Sequence, residues 1–168
     1  ARSGFNAPLT SSAGRMFDAA AALAGSRHLG FYEGQAACEL EAAASPGMDP
    51  YPWELDGASF PWKGDTRALF AALLQDVAKG ADIGEVAGRF HAALAEAAVA
   101  VCLGLGRETG IGRVILSGGV FQNALLAAVV ARRLEEKGMA CHLHRRVPCN
   151  DGGISLGQAV AGARRLLL

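Results

Sequence analysis

Apolar residues recur at helical spacing near the start of the chain. Met16, Phe17, Ala20 and Leu23 lie three or four apart, Ser11 or Ser12 can cap the run and Gly25 ends it, which predicts a helix over 11–24. A second helix is expected from about Glu33 through GQAACELEAAA to Ala44, where Pro46 and Gly47 stop it. Residues 46–65 hold four of the six prolines and both tryptophans. That composition reads as a loop, in which WEL and ASFPW can pair as a short hairpin across DG. Helices follow over about 66–79 and 84–106. In the longer one Val86, Phe90, Leu94, Ala98, Val101 and Leu105 make one apolar face.

The last third is the most regular. RVIL reads as a strand, SGG as a glycine loop, and NALLAAVVARRLEEKG as a helix with an Asn cap and a Gly stop. ACHLH is a second strand, RRVPCNDGG a loop, and ISLGQAVAGARRLL a closing helix. Strand–loop–helix repeated twice predicts an α/β layer with parallel strands. Ligands in such layers sit beyond the carboxyl ends of the strands. SGGVFQN and NDGG both occupy that position and are expected side by side on one sheet edge.

Composition narrows the partners. The 16 Lys and Arg balance the 16 Asp and Glu, so no net charge draws nucleic acid or an anionic membrane. The apolar runs AAVAVCL and LLAAVVA fall short of the roughly 20 residues a bilayer requires and read as buried helix faces. The start, ARSGFNAPLTSS, lacks the apolar segment of a secretory signal and has no initiator Met, as expected of a fragment or a processed product. Cys38, Cys102, Cys141 and Cys149 form no CxxC pair, which predicts reduced thiols and a cytoplasmic setting.

Chemistry concentrates on the two glycine loops. Glycine lets backbone N–H groups approach an anion, and the helix beyond adds partial positive charge. SGGVFQN therefore reads either as a phosphate or ribose cradle with Asn123 as a ligand, or as a tight turn with Asn123 as a plain N-cap. No GxGxxG or GK[ST] pattern decides between them. Asp151 in NDGG can ligate a hard cation or can cap the following helix. His142 and His144 alternate on one strand, where a paired-imidazole metal site competes with simple exposure. Cys149 has no His or Lys partner at an obvious spacing and reads as structural, and His28 and His91 read as surface or packing residues.

Four stretches together carry a resemblance: LTSSAGRMFDAAAALAG, YEGQAACELEA, LSGGVFQNALL and VPCNDGGISLGQA. In this order, and spanning nearly the whole chain, they closely resemble the C-terminal part of HypF, the carbamoyltransferase of [NiFe]-hydrogenase maturation. That family is similar to the TobZ-type O-carbamoyltransferases and the tRNA threonylcarbamoyl transferases. The resemblance implies the two-lobed sugar-kinase/actin-like fold, with residues 1–168 forming its C-terminal lobe. It implies that Asp18 and Gly34 bind the nucleotide-linked substrate, and that Gly118, Gly119 and Asn123 contact adenosine and phosphate. Asp151 would be the acidic ligand of a divalent metal, zinc or iron. Ser12, Gly14 and Arg15 belong to an SSxGR element near the same cleft; the resemblance fixes neither their individual roles nor that of Glu33.

The implied reaction takes a carbamoyl group from carbamoyl phosphate, activates it with ATP as carbamoyl adenylate, and passes it to the C-terminal cysteine of a HypE-type partner. The family's histidine-rich HHxAH motif, its acylphosphatase-like and cysteine-rich segments and its adenylate-forming domain are absent from this sequence. The chain alone is therefore expected to be inactive, to lack a complete metal site, and to be capable of self-association through surface a missing lobe would cover. Two alternatives stay open: a tRNA threonylcarbamoyl transferase fragment, against which YEGQAACELE argues, and a non-catalytic lobe that docks a partner.

Overall fold

The computed structural model describes residues 10–26, 30–57 and 61–166. The readings given for the extreme N-terminus, His28 and the Ala58–Phe60 part of the hairpin lie outside those residues. The order is α1 (Ala13–Leu23), α2 (Gln35–Ala43), β1 (Glu54–Asp56), β2 (Lys63–Asp65), α3 (Arg67–Ala78), α4 (Ile83–Thr109), β3 (Arg113–Leu116), α5 (Ala124–Glu136), β4 (Ala140–Leu143) and α6 (Ile154–Leu166). Two short 3-10 turns, Gly119–Gln122 and Asp151–Gly153, precede α5 and α6. The expected helices and both parallel strands are present among the described residues, but the hairpin is corrected: β1 pairs with Lys63–Asp65, beyond the ASFPW stretch expected to be its partner, where Pro61 has no N–H to give a ladder.

The core forms around α4. That helix is buried on more than one face, with Val86, Phe90 and Val99 in one cluster with Phe17 of α1, Leu40 of α2, Leu69 and Leu73 of α3, and Val130 and Leu134 of α5. Phe17 meets Phe90 edge to face with centroids 5.1 Å apart. The AAVAVCL run is short, but it sits inside 27 helical residues rich in Ala and Gly, and α4 as a whole is long and apolar enough to cross a membrane by length and composition alone. Packing on α1, α2, α3 and α5 makes it the core helix of this fold.

Glycine lets the chain pass close to α4. At Gly88 a Cβ would collide with the Ser45 carbonyl oxygen and come within 2.7 Å of Met48. The Ser45 N–H donates to the Gly84 carbonyl at 2.9 Å, which pins the loop there. Nearby, Tyr51 is buried and donates to Asp76 at 3.0 Å, while Arg89 pairs with the same carboxylate and lies over the Tyr51 ring. Burial, reinforced by the Asp76 hydrogen bond, pushes the Tyr51 phenol up.

β3 and β4 pair in parallel, from Arg113 opposite Ala140 to Leu116 opposite Leu143, and β1 pairs antiparallel with β2. Parallel strands are ordinarily covered on both faces. Here Leu116 points into the core, whereas Ile115 is 70% exposed, and α6 has no buried residue at all.

Candidate functional site

The two glycine loops meet. The Gly118 N–H donates to the Cys149 carbonyl at 2.7 Å, tying the end of β3 to the loop that leads into Asp151. His144 reinforces the join, with a ring nitrogen 3.0 Å from the Ser117 hydroxyl. Beyond β3 the backbone needs glycine for a specific reason. Gly118 takes φ +105° and ψ 154°, a region essentially closed to side chains, to redirect the chain into the 3-10 turn. Gly118 and Gly119 are exposed, and a Cβ at either would meet nothing within 4 Å.

Asn123 closes that turn from below. Its side-chain oxygen accepts from the Leu126 N–H at 2.7 Å, the capping role legible in the sequence. Its Nδ2 lies 2.8 Å from His91 Nε2, and both side chains are buried. His91 Nδ1 is 2.8 Å from the Ala87 carbonyl. A carbonyl only accepts, so Nδ1 carries the proton and Nε2 accepts from Asn123. That chain of donors also fixes the orientation of the Asn123 amide.

Burial holds the His91 pKa below its ordinary 6.5, against the raising effects of the Ala87 carbonyl and the Glu41 carboxylate. Glu41 on α2 is the titratable group that acts on it. Because the folded pKa is depressed, the unfolded chain takes a proton first as acid is added. Stability is thus complete above about pH 6.5 and falls as the pH drops toward the folded value. Denaturant titrations at about pH 7.5 and pH 5.5 check this. The loss at the lower pH should shrink in His91→Phe; an unchanged loss would assign it to other groups.

Glu41 contributes something the sequence did not foretell. It reaches across from α2, and its carboxylate accepts from the N–H groups of Ala124 and Leu125 at 2.7 and 3.2 Å. The first-turn donors of α5 are therefore engaged from within the protein, by Glu41 and Asn123. This departs from the expectation that the helix N-terminus itself would face an anion.

The other expected site residues are distributed as follows. Asp18 lies on α1, partly exposed, and accepts from Arg15 three residues earlier at 3.2 Å. Such a surface pair is weak and leaves the carboxylate available. Ser12 caps α1 through the Arg15 N–H. Gly34 takes φ +79° at the start of α2, preceded by the exposed rings of Phe31 and Tyr32. Sequence reasoning gave these two aromatics no role, although Tyr32 opens the YEGQ motif and Phe31 precedes it. α1 packs on both α2 and the glycine turn, but no hydrogen bond joins Asp18 or Gly34 to that turn among the described residues.

Asp151 is exposed in its 3-10 turn, and the cap there is Asn150, which accepts from the Gly152 N–H at 3.0 Å. The structural alternative for Asp151 is thus filled by its neighbour. Among the described residues no group of three or more His, Cys, Asp or Glu comes together to hold a metal. One exposed carboxylate does not fit a metal site by itself.

Comparison with known proteins supplies the lineage. Residues 1–158 match the family described as the carbamoyltransferase, Kae1-like domain, second subdomain, of HypF. The carbamoyltransferase HypF of Rhodobacter capsulatus is 40% identical over 99% of this chain and 21% of its own length. A tRNA N6-adenosine threonylcarbamoyltransferase of Sorangium cellulosum is 31% identical over 92% of the chain and 44% of its own. A crystal structure of full-length HypF in its phosphate- and nucleotide-bound form superposes with a TM-score of 0.88 at 37% identity, over 93% of this chain and 21% of that one. The chain thus spans about a fifth of the length of these HypF relatives. It belongs to the HypF carbamoyltransferase family, as the second subdomain of the Kae1-like domain, and is related to the tRNA threonylcarbamoyltransferases.

Proposed function

We propose that this chain is the nucleotide-holding C-terminal lobe of a cytoplasmic HypF-type carbamoyltransferase built on the two-lobed sugar-kinase/actin-like fold. The observation that carries the reading is the Gly118–Cys149 hydrogen bond, which joins two glycine loops at the carboxyl ends of parallel strands. The substrate is carbamoyl adenylate, made from carbamoyl phosphate and ATP elsewhere in the full polypeptide. Gly118 and Gly119 present backbone to its phosphate, and Asp18 accepts from ribose hydroxyls. Gly34 lets the flat base approach, with Phe31 and Tyr32 offering faces to stack on. Asn123 supports the turn from beneath.

The acceptor is the C-terminal cysteine of a HypE-type partner. Its thiolate forms the new bond to the carbamoyl carbon, the bond from that carbon to the AMP phosphate oxygen breaks, and AMP leaves with the electron pair. The nucleophile in this reading comes from the partner, and the Ser117 hydroxyl beside His144 serves to join the two loops. Asp151 would contribute one carboxylate to a zinc or iron site completed by histidines outside this sequence, and such a metal would polarise the carbamoyl carbonyl. The exposed outer face of β3–β4 and the uncovered α6 dock against the rest of the carbamoyltransferase domain.

Calorimetry with ATP tests the core of the reading. The 168-residue chain should bind ATP weakly and show no carbamoyl transfer, and Asn123→Ala should weaken the binding. Equal binding by both forms removes the assignment of the glycine turn, and turnover by the chain alone removes its description as a partial enzyme.

A further inference from the structure

His91 and Glu41 lie outside the residues assigned to the ligand, yet from two different helices they converge on the joint between the glycine turn and α5. We propose that they are the positioning residues of the turn: His91 acts through Asn123, Glu41 through the first N–H groups of α5, and together they set where the turn's own backbone donors point. Its functional consequence, though not the geometry, rests on the nucleotide reading above.

A helix begins with N–H groups that have no partner inside it. In α5 those of Ala124 and Leu125 go to Glu41, that of Leu126 goes to Asn123 Oδ1, and that of Ala127 goes to the Asn123 carbonyl. None is left for an anion. The N–H groups of Gly119 and Val120 meet no backbone acceptor among the described residues. An approaching phosphate is therefore read by the turn, and its affinity depends on how firmly the turn is held.

Asn123 holds it with three bonds: its N–H to the Val120 carbonyl at 3.2 Å, its Oδ1 to Leu126, and its Nδ2 to His91. An asparagine amide is symmetric in shape but not in polarity. Only an acceptor at Nε2 keeps the oxygen on Leu126, and His91, neutral and with its proton committed to Ala87, is that acceptor. The His91 ring is itself seated edge-on against Phe17, with centroids 5.1 Å apart. The orientation of the cap thus follows from a side chain in the core.

The test is hydrogen exchange read by mass spectrometry over residues 118–130 of the full-length polypeptide that carries this chain. His91→Phe keeps an aromatic ring but removes the acceptor; His91→Gln restores an acceptor. The Phe variant should exchange the Leu126 N–H about tenfold faster, the Gln variant within about threefold of wild type, and Glu41→Ala should quicken Ala124 and Leu125 by about tenfold. Unchanged exchange in the Phe variant, or equal loss in the Phe and Gln variants, overturns the proposal. ATP affinity is read alongside and should fall about tenfold in the Phe variant and return in the Gln variant. Uniform ATP affinity across variants whose exchange differs overturns the link from turn to ligand. Absence of ATP binding in the wild type, with the exchange pattern as described, removes the nucleotide reading and leaves the positioning of the turn standing.

Discussion

Gly88→Ala destabilises the fold by about 3 kcal/mol, which for a domain of this size lowers Tm by about 6–12 °C. The added methyl has nowhere to go. On one side is the carbonyl oxygen of Ser45, on the other Met48 Cγ at 2.7 Å. The Met48 side chain can swing, but the carbonyl is backbone, and the Ser45 N–H is bonded to Gly84 one turn away at 2.9 Å. Gly84 is crowded in the same way, since a Cβ there would lie 2.9 Å from the Ala43 carbonyl. Relief therefore requires the 43–48 segment to leave α4 as a unit. The control is Gly157→Ala in α6, where a Cβ would meet nothing within 4 Å and alanine only improves helix propensity. Thermal melts of the two variants decide the matter: a Gly88→Ala melt no lower than that of Gly157→Ala would show that the loop yields freely.

Gly118→Ala leaves the protein folded and lowers carbamoyl transfer by the full-length enzyme about a hundredfold. Here the obstacle is the backbone and not a neighbour. No heavy atom lies within 4 Å of the position a Cβ would take, but φ +105° with ψ 154° is a conformation that a side chain makes costly by about 1–3 kcal/mol. The chain escapes by rotating Gly118 out of that conformation. Its N–H then leaves Cys149, the two loops part, and the turn moves. A displacement of about 1 Å in a group that orients substrate is enough for a hundredfold loss. Gly119→Ala is the informative companion, because Gly119 has no positive φ and equally open surroundings. It should fold normally and lose activity only if a ligand comes close to that backbone. Circular dichroism together with a transfer assay reads both variants. A folded Gly118→Ala enzyme with activity close to that of wild type would show that the turn is not part of the site.

These two glycines mark the division between sequence and tertiary structure. Gly118 was legible: a glycine pair at the end of an apolar strand and ahead of an Asn cap announces a turn with unusual backbone. Gly88 was not. Within a helical pattern it reads as a small residue among alanines, and only the fold brings Ser45 against it. The capping oxygen of Asn123 was readable for the same local reason, since an Asn cap bonds to the N–H three residues on. Its other partner, His91, lies 32 residues away, and Glu41 lies 83 residues from the N–H it accepts. Asp151 shows the same limit at short range. Its carboxylate and that of a capping residue look alike in sequence, and the geometry gave the cap to Asn150.

By itself, then, the sequence determined the helices, the strand–turn–helix repeats, the pairing of the two glycine loops and the membership of the family. Each of these follows from periodicity, local capping or short motifs, which act over a few residues. The tertiary structure decided that the N–H groups opening α5 are spent on Glu41 and Asn123, and that His91 fixes the cap. It also decided that Asp151 finds no companion metal ligands among the described residues. Those outcomes depend on which side chains separate elements bring to one point. The energy of a buried polar group is set by the partner it finds there, and no local pattern encodes that partner.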